Sequence, residues 1–177
     1  SLDARLTVSQ IVAEPLRIHG IARSASDERQ RVANLLERVG IPPALAERRP
    51  AQLSSGQCQR VSIARALSLD PTFIVCDEPV AALDVSEQLG VLALLESLQA
   101  TRALAYLFIS HDLRLVLASS QSVYVMYAGR IVECASSSEL REAPRHPYTR
   151  ALLHAVPQPD PRRRRLRLVL DGDPPSP

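Results

Sequence analysis

The pattern of apolar and polar positions changes along this chain from helical spacing to short apolar runs, and the change marks its organisation. The first third has helical texture. "VSQIVAEPL" follows a Thr7/Gln10 pair at capping-box spacing and reads as a helix that Pro15 should kink or end. "DERQRVANLLERVG" carries Val32, Leu35, Leu36 and Val39 on one helical face, with Gly40 placed to stop it. From residue 72 the pattern changes. "TFIVCD" (72–77) is a short continuous apolar run ending in acids, which predicts a parallel strand buried on both faces. A helix follows, with Leu89, Leu92, Leu95 and Leu98 as its expected apolar side. "AYLFIS" (105–110) predicts another buried strand, and a helix is expected from about Asp112 to Ser119. "SVYVMY" and "RIVEC" predict two strands joined by a tight turn at Ala128–Gly129.

Strand, helix, strand, helix, strand is the order of an α/β fold with a mostly parallel sheet, whose chemistry gathers at the C-terminal ends of the strands. After Ala135 the texture shifts to a capped short helix in "SSSELREAP" and a second helix in "HPYTRALLHAV", with Pro147 suited to its first position. The Pro- and Arg-rich stretch beyond contains one expected edge strand at Leu166–Leu170.

Composition narrows the function. The 177 residues are 46% hydrophobic but only 3% aromatic, so the core must be built from Leu, Val, Ile and Ala. A net charge of +2 requires no nucleic-acid partner, and "RRRR" (162–165), without interleaved aromatics, reads as a solvated tail. The three cysteines are far apart, which argues against a disulfide framework or a zinc site. No apolar run has the length of a membrane span, so a cytosolic setting is expected. All 21 basic residues are arginine.

Four places carry candidate chemistry. "LSSGQCQR" (53–60) puts Ser54, Ser55 and Gly56 at a helix start, with Gln57 three residues after Ser54. The spacing suits a capping box, and a helix start with free N–H groups also suits a phosphate. Asp77 and Glu78 end an apolar strand, where an Asp can hold Mg²⁺ and a Glu can activate water; a solvated loop start is the plainer reading. Asp84 in "AALD" could simply cap the next helix, and His111 ends the following strand. Each has an ordinary explanation alone. Together, in this order, they form a nucleotide-hydrolysis layout.

On these residues the chain resembles the ATP-binding subunit of ABC transporters, in the di- and oligopeptide importer branch. "LSSGQCQR" resembles the signature, "FIVCDEP" the Walker B strand, "AALD" the D-loop and "ISHDL" the switch-histidine segment. "SLDARLTVSQIVAEPLRIHG" resembles the start of the helical subdomain, and "HPYTRALLHAVPQPDP" the C-terminal extension of the peptide branch. The resemblance implies a partial P-loop NTPase, divided into a helical subdomain (1–55), the C-terminal half of a RecA-like core (56–135) and the extension (136–177). It implies ATP and Mg²⁺ as ligands. Asp77 would organise the metal, Glu78 polarise water and His111 sense the γ-phosphate. Ser54, Ser55, Gly56 and Gln57 would face a second subunit's nucleotide, and Asp84 would couple the two sites.

The implied partners are a second ATP-binding subunit, identical or not, and transmembrane permease subunits. A peptide-binding protein would act indirectly, and the setting is the cytoplasmic face of the cell membrane. Ser55 stands where the family usually has glycine, which raises the expectation of restricted φ and a crowded phosphate. With no lysine in the chain, G-x-x-x-x-G-K-[ST] is absent, and the Q-loop glutamine is expected upstream of Ser1. The chain is therefore expected to be the C-terminal portion of such a subunit, inactive alone and with apolar sheet surface uncovered. The alternatives are a catalytically incompetent interaction module, or an importer subunit for nickel or another small solute.

Overall fold

A computed structural model describes residues 2–155; the expected strand at Leu166–Leu170 lies outside them. Contacts divide the chain between Leu107 and Phe108.

The first unit is helical at its start. Helix α1 (Val8–Ile18) has the expected capping box, with Thr7 accepting from the Gln10 N–H and Gln10 returning the bond to Thr7. It runs through Pro15 for three further residues rather than ending there. Helix α2 (Ala25–Arg38) is capped by Ser24. Gly40 closes it at φ +70°, with Gly40 N–H donating to Glu37 and Ile41 N–H to Leu36, the double bond of a Schellman stop. Helix α3 (Ser55–Leu67) packs with α2 against α1. Ile11, Val12 and Leu16 of α1 are buried, as are Leu35 and Leu36 of α2 and Val61 and Leu67 of α3. At roughly 1.5–3 kcal/mol for each fully buried aliphatic side chain, this layer is what holds the unit's helical part together.

Strand β1 (Phe73–Asp77) leads into helix α4 (Val85–Arg102), and β2 (Ala105–Ile109) returns beside β1 as a parallel pair. The strands are not buried on both faces as their sequence suggests: Phe73 and Val75 are each 54% exposed. A two-stranded pair has too few neighbours to cover both sides, so the expected uncovered apolar surface is present. The buried side of α4 is Val91, Leu95 and Leu98, whereas Leu89 is exposed. Residues three apart drift by about 60° per step around a helix of 3.6 residues per turn, so the leucine series cannot stay on one face.

The second unit holds α5 (Leu113–Ser119), the hairpin of β3 (Ser122–Tyr127) and β4 (Arg130–Ser136), α6 (Ser137–Glu142) and α7 (Pro147–Ala155). The hairpin is antiparallel, and its turn has φ +46° at Ala128 and +74° at Gly129, the two positive angles of a type I′ turn. Leu117, Val123, Val125 and Leu140 form the core, with Tyr148 and Leu152 packed against it.

The start of α7 explains "RHPYT" locally. Pro147 takes the first helical position, where its missing N–H costs nothing. His146 Nδ1 accepts from the Tyr148 N–H, and the Tyr148 ring lies 4.4 Å from that of Tyr127. Glu133 on β4, only 8% exposed, accepts from the Arg145 N–H at 2.8 Å and the His146 N–H at 2.9 Å. Burial works against its charge, but the Arg145 N–H, the Thr149 hydroxyl, the His146 N–H and the charge of His146 together hold its pKa below the usual glutamate value.

Candidate functional site

The helix start that "LSSGQCQR" predicts is realised in full. Ser54 is the N-cap of α3; its hydroxyl accepts from the Gln57 N–H, and the Gln57 side chain accepts from the Ser54 N–H. Ser55 is the first helical residue and is not among those with positive φ, so serine here brings no backbone strain. The expected φ restriction does not arise, and what Ser55 adds is a hydroxyl. Gly56 is buried.

These groups already hold an anion. The Glu87 carboxylate, 31–33 residues away in sequence, accepts from the Ser54 hydroxyl at 2.8 Å, the Ser55 hydroxyl at 2.9 Å and the Gly56 N–H at 3.2 Å. A Cβ on Gly56 would lie 2.8 Å from the Glu87 Cδ, so the absence of a side chain there makes room for the carboxylate. Asp84 caps α4 by accepting from the Glu87 N–H at 2.8 Å. Asp84 and the α3 start are thereby joined through one residue. Sequence reasoning missed Glu87. Its signal is the Asp84-x-x-Glu87 spacing, which suggests a local capping box but does not reveal a partner on another helix.

Arg60 was also missed. Its guanidinium donates to the Val39 carbonyl at the end of α2 (2.8 Å) and to the Gly90 carbonyl on α4 (3.2 Å), fixing α3 between them.

Asp77 ends β1 with its side chain exposed, and Glu78 follows, also exposed. Glu78 has φ +46°, a left-handed angle that costs a non-glycine residue about 1–2 kcal/mol. Such strain gathers at functional positions, where the surrounding structure must hold it. Glu78 and Ser55 line one cleft of about 390 Å³ together with Cys58, Pro79 and Leu83. The strand-end acid and the α3 start therefore open onto the same space. Among the described residues no cluster of three or more His, Cys, Asp or Glu could hold a metal. Asp77 offers a single exposed carboxylate, a donor set that suits a Mg²⁺ ion held mainly by phosphate oxygens and water. His111 belongs to the second unit, exposed in the link between β2 and α5. Asp112 beside it caps α5 and pairs with Arg114, and the hydrogen bond from that guanidinium lowers its pKa. No helix among the described residues is long and apolar enough to cross a membrane.

The sequence is similar to known proteins along nearly its whole length, and the fold over most of the chain. An ABC transporter family profile matches residues 1–81, and a profile for the oligopeptide/dipeptide transporter C-terminal region matches residues 132–177. The chain is 49% identical over 98% of its length to the oligopeptide transport ATP-binding protein OppF of Bacillus subtilis, covering 57% of that protein. It is 51% identical over its whole length to a putative peptide import ATP-binding protein of Brucella ovis, covering 56% of it. OppF of Salmonella typhimurium is 48% identical, with the whole chain matched to 54% of that protein. The chain thus spans a little over half the length of these relatives. Among solved structures, the ATP-binding cassette MJ0796, in a dimeric post-hydrolysis state bound to ADP and Pi, matches with a TM-score of 0.68 and 28% identity. That match covers 77% of this chain and 59% of the other.

Proposed function

The chain belongs to the ATP-binding proteins of ABC transporters, in the oligopeptide and dipeptide branch, and on that premise we propose that it is the part of a peptide importer's ATPase subunit carrying the signature and the water-activating acid. The division into helical subdomain (1–55), RecA-like half-core (56–135) and extension (136–177) is part of this reading.

In this reading Ser54, Ser55, Gly56 and Gln57 present the α3 N-terminus to the γ-phosphate of a nucleotide bound by a second ATP-binding subunit, identical or not. Three donors of hydroxyl and N–H type converge there, and the positive end of the helix favours negative charge. Asp77 would hold Mg²⁺, which when bound neutralises charge on the phosphates. Glu78 takes the proton of the attacking water, His111 contacts the γ-phosphate, and Asp84 couples the two sites. The subunit works with transmembrane permeases at the cytoplasmic face of the membrane and receives peptide indirectly from a binding protein.

One observation carries most weight: the α3 start already seats an anionic oxygen pair on three convergent donors. A helix start made only for capping needs no such seat.

The test is ATP hydrolysis by the full-length subunit. Glu78→Gln should bind ATP and lower turnover by ~10²–10⁴-fold, the usual contribution of a general base, and His111→Ala should lower it as well. Wild-type rates in both variants would refute the site assignment. This chain by itself should not hydrolyse ATP, because it has no lysine to complete a phosphate cradle.

A further inference from the structure

Glu87 occupies the place that the proposed function gives to a phosphate. Its Oε1 takes the Ser54 hydroxyl, and its Oε2 takes both the Ser55 hydroxyl and the Gly56 N–H. None of these partners is a guanidinium, so the carboxylate rests on the same neutral donors, at the positive end of a helix, that would receive a phosphate oxygen. Two anions cannot share them. A phosphate drawing on all three donors would lie within hydrogen-bond distance of the same atoms, where the carboxylate now sits. Gly56 reinforces the point, because its missing Cβ leaves space that Glu87 fills.

Glu87 is also built to leave. Its backbone is held by the Asp84 cap, while its side chain is only partly buried and can turn towards solvent by rotation alone. Ser55 then has a specific task. Its hydroxyl is one of the two bonds on Oε2, so the serine that departs from the family's usual glycine helps to keep the carboxylate seated.

We propose that Glu87 is an internal stand-in for phosphate, occupying the α3 N-terminus until the terminal phosphate of a second subunit's nucleotide displaces it. The inference rests on the reading of α3 as the nucleotide-facing signature. It makes Glu87 a positioning residue that sets how much ATP is needed to close the site. When a ligand must displace an internal occupant, its apparent affinity falls by the fraction of molecules in which the site is open. Removing the occupant restores that factor and leaves the chemical step alone.

The experiment uses the full-length subunit, with steady-state ATPase measured against ATP concentration. Glu87→Gln, which keeps the size and removes the charge, should lower the half-maximal ATP concentration by about three- to tenfold. Its turnover at saturation should stay within about twofold of wild type, since the reacting groups are untouched. Glu87→Ala should do the same, and Glu87→Asp, which keeps the charge, should stay nearer wild type. A second readout is ATP-dependent self-association in a Glu78→Gln background, where Glu87→Gln should bring association to lower ATP. A raised half-maximal concentration with reduced turnover would mean that Glu87 merely supports the signature, and the inference would fall. Unchanged ATP dependence in both Gln and Ala variants would also overturn it. If wild-type subunit itself shows no ATPase, the functional reading fails first; if it is active and the Glu87 variants do not respond, only the inference is lost.

Discussion

Among the described residues, the starts of α3 and α7 each offer backbone N–H groups to a glutamate from elsewhere in the chain, and the two contacts are built to opposite ends. At α7, Glu133 is almost fully buried and accepts from two backbone N–H groups, those of Arg145 and His146. At α3, Glu87 is partly exposed and takes two hydroxyls and one N–H. Hydroxyls rotate and exposed groups can turn to water, so little is lost when Glu87 leaves. The Arg145 and His146 N–H groups are part-buried and fixed by the backbone, so they cannot turn to water as a hydroxyl does, and leaving one unpaired costs up to roughly 1–3 kcal/mol. The same chemical contact is thus a fixed joint in one place and a detachable one in the other. Solvent access and donor type decide which.

The comparison can be broken most severely at Glu133. Glu133→Ala should destabilise the chain by about 1–3 kcal/mol, through the N–H groups it strands. Urea unfolding followed by tyrosine emission reads this directly, because tryptophan is absent and Tyr127 and Tyr148 stack beside the joint. The same joint predicts a pH dependence. The folded pKa of Glu133 lies below the ordinary 4.5, so its contribution is complete above that value. It fades as pH falls below 4.5 towards the lowered folded value, and the Ala variant should lack that part of the acid sensitivity. A loss of stability on raising the pH through this range would reverse the sign and refute the joint.

A smaller effect is expected at Glu87. Glu87→Gln should lower the unfolding free energy by about 0.6–1.4 kcal/mol, the three- to tenfold factor in ATP dependence converted at about 1.4 kcal/mol per tenfold. A loss well above about 2 kcal/mol would show that both joints are fixed. The smallest effect is expected at the hairpin that presents Glu133. Ala128 holds a left-handed angle that glycine adopts freely, and the strain is worth about 1 kcal/mol. Ala128→Gly should recover part of it, a net gain of roughly 0.5 kcal/mol after the greater freedom of glycine in the unfolded chain.

Local signals were the legible ones. The capping boxes at Thr7/Gln10 and Ser54/Gln57 are contained in four residues each, and the structure has both. The Gly40 stop and the Ala128–Gly129 turn are equally local. The order of "LSSGQCQR", Asp77, Glu78, Asp84 and His111 is likewise written in the sequence itself, and it carries the resemblance to the family. What remained hidden depends on distant partners. Nothing near Glu87 announces that its side chain will cross to α3, and nothing near Arg60 identifies the two carbonyls it will join. Burial misled for a related reason. "TFIVCD" reads as a doubly covered strand because its composition is fixed, while its actual cover depends on how many strands stand beside it.

The Arg60 bridge carries a consequence for how this sequence can vary. Its guanidinium fills the space where Cβ atoms at Gly40 and Gly90 would stand, at 3.2 and 3.1 Å. Gly40 needs its positive φ in any case, but Gly90 sits in an ordinary helix, and Arg60 Nη2 is the one atom among the described residues that a Cβ there would crowd. Positions 60 and 90 should therefore behave as an epistatic pair under selection. An alanine at 90 would press the Arg60 guanidinium back by a few tenths of an ångström, against its bond to the Gly90 carbonyl, whereas beside a shorter side chain at position 60 it would act simply as a better helix former than glycine. Ancestry, more than chemistry at either position, would then decide which residue is tolerated.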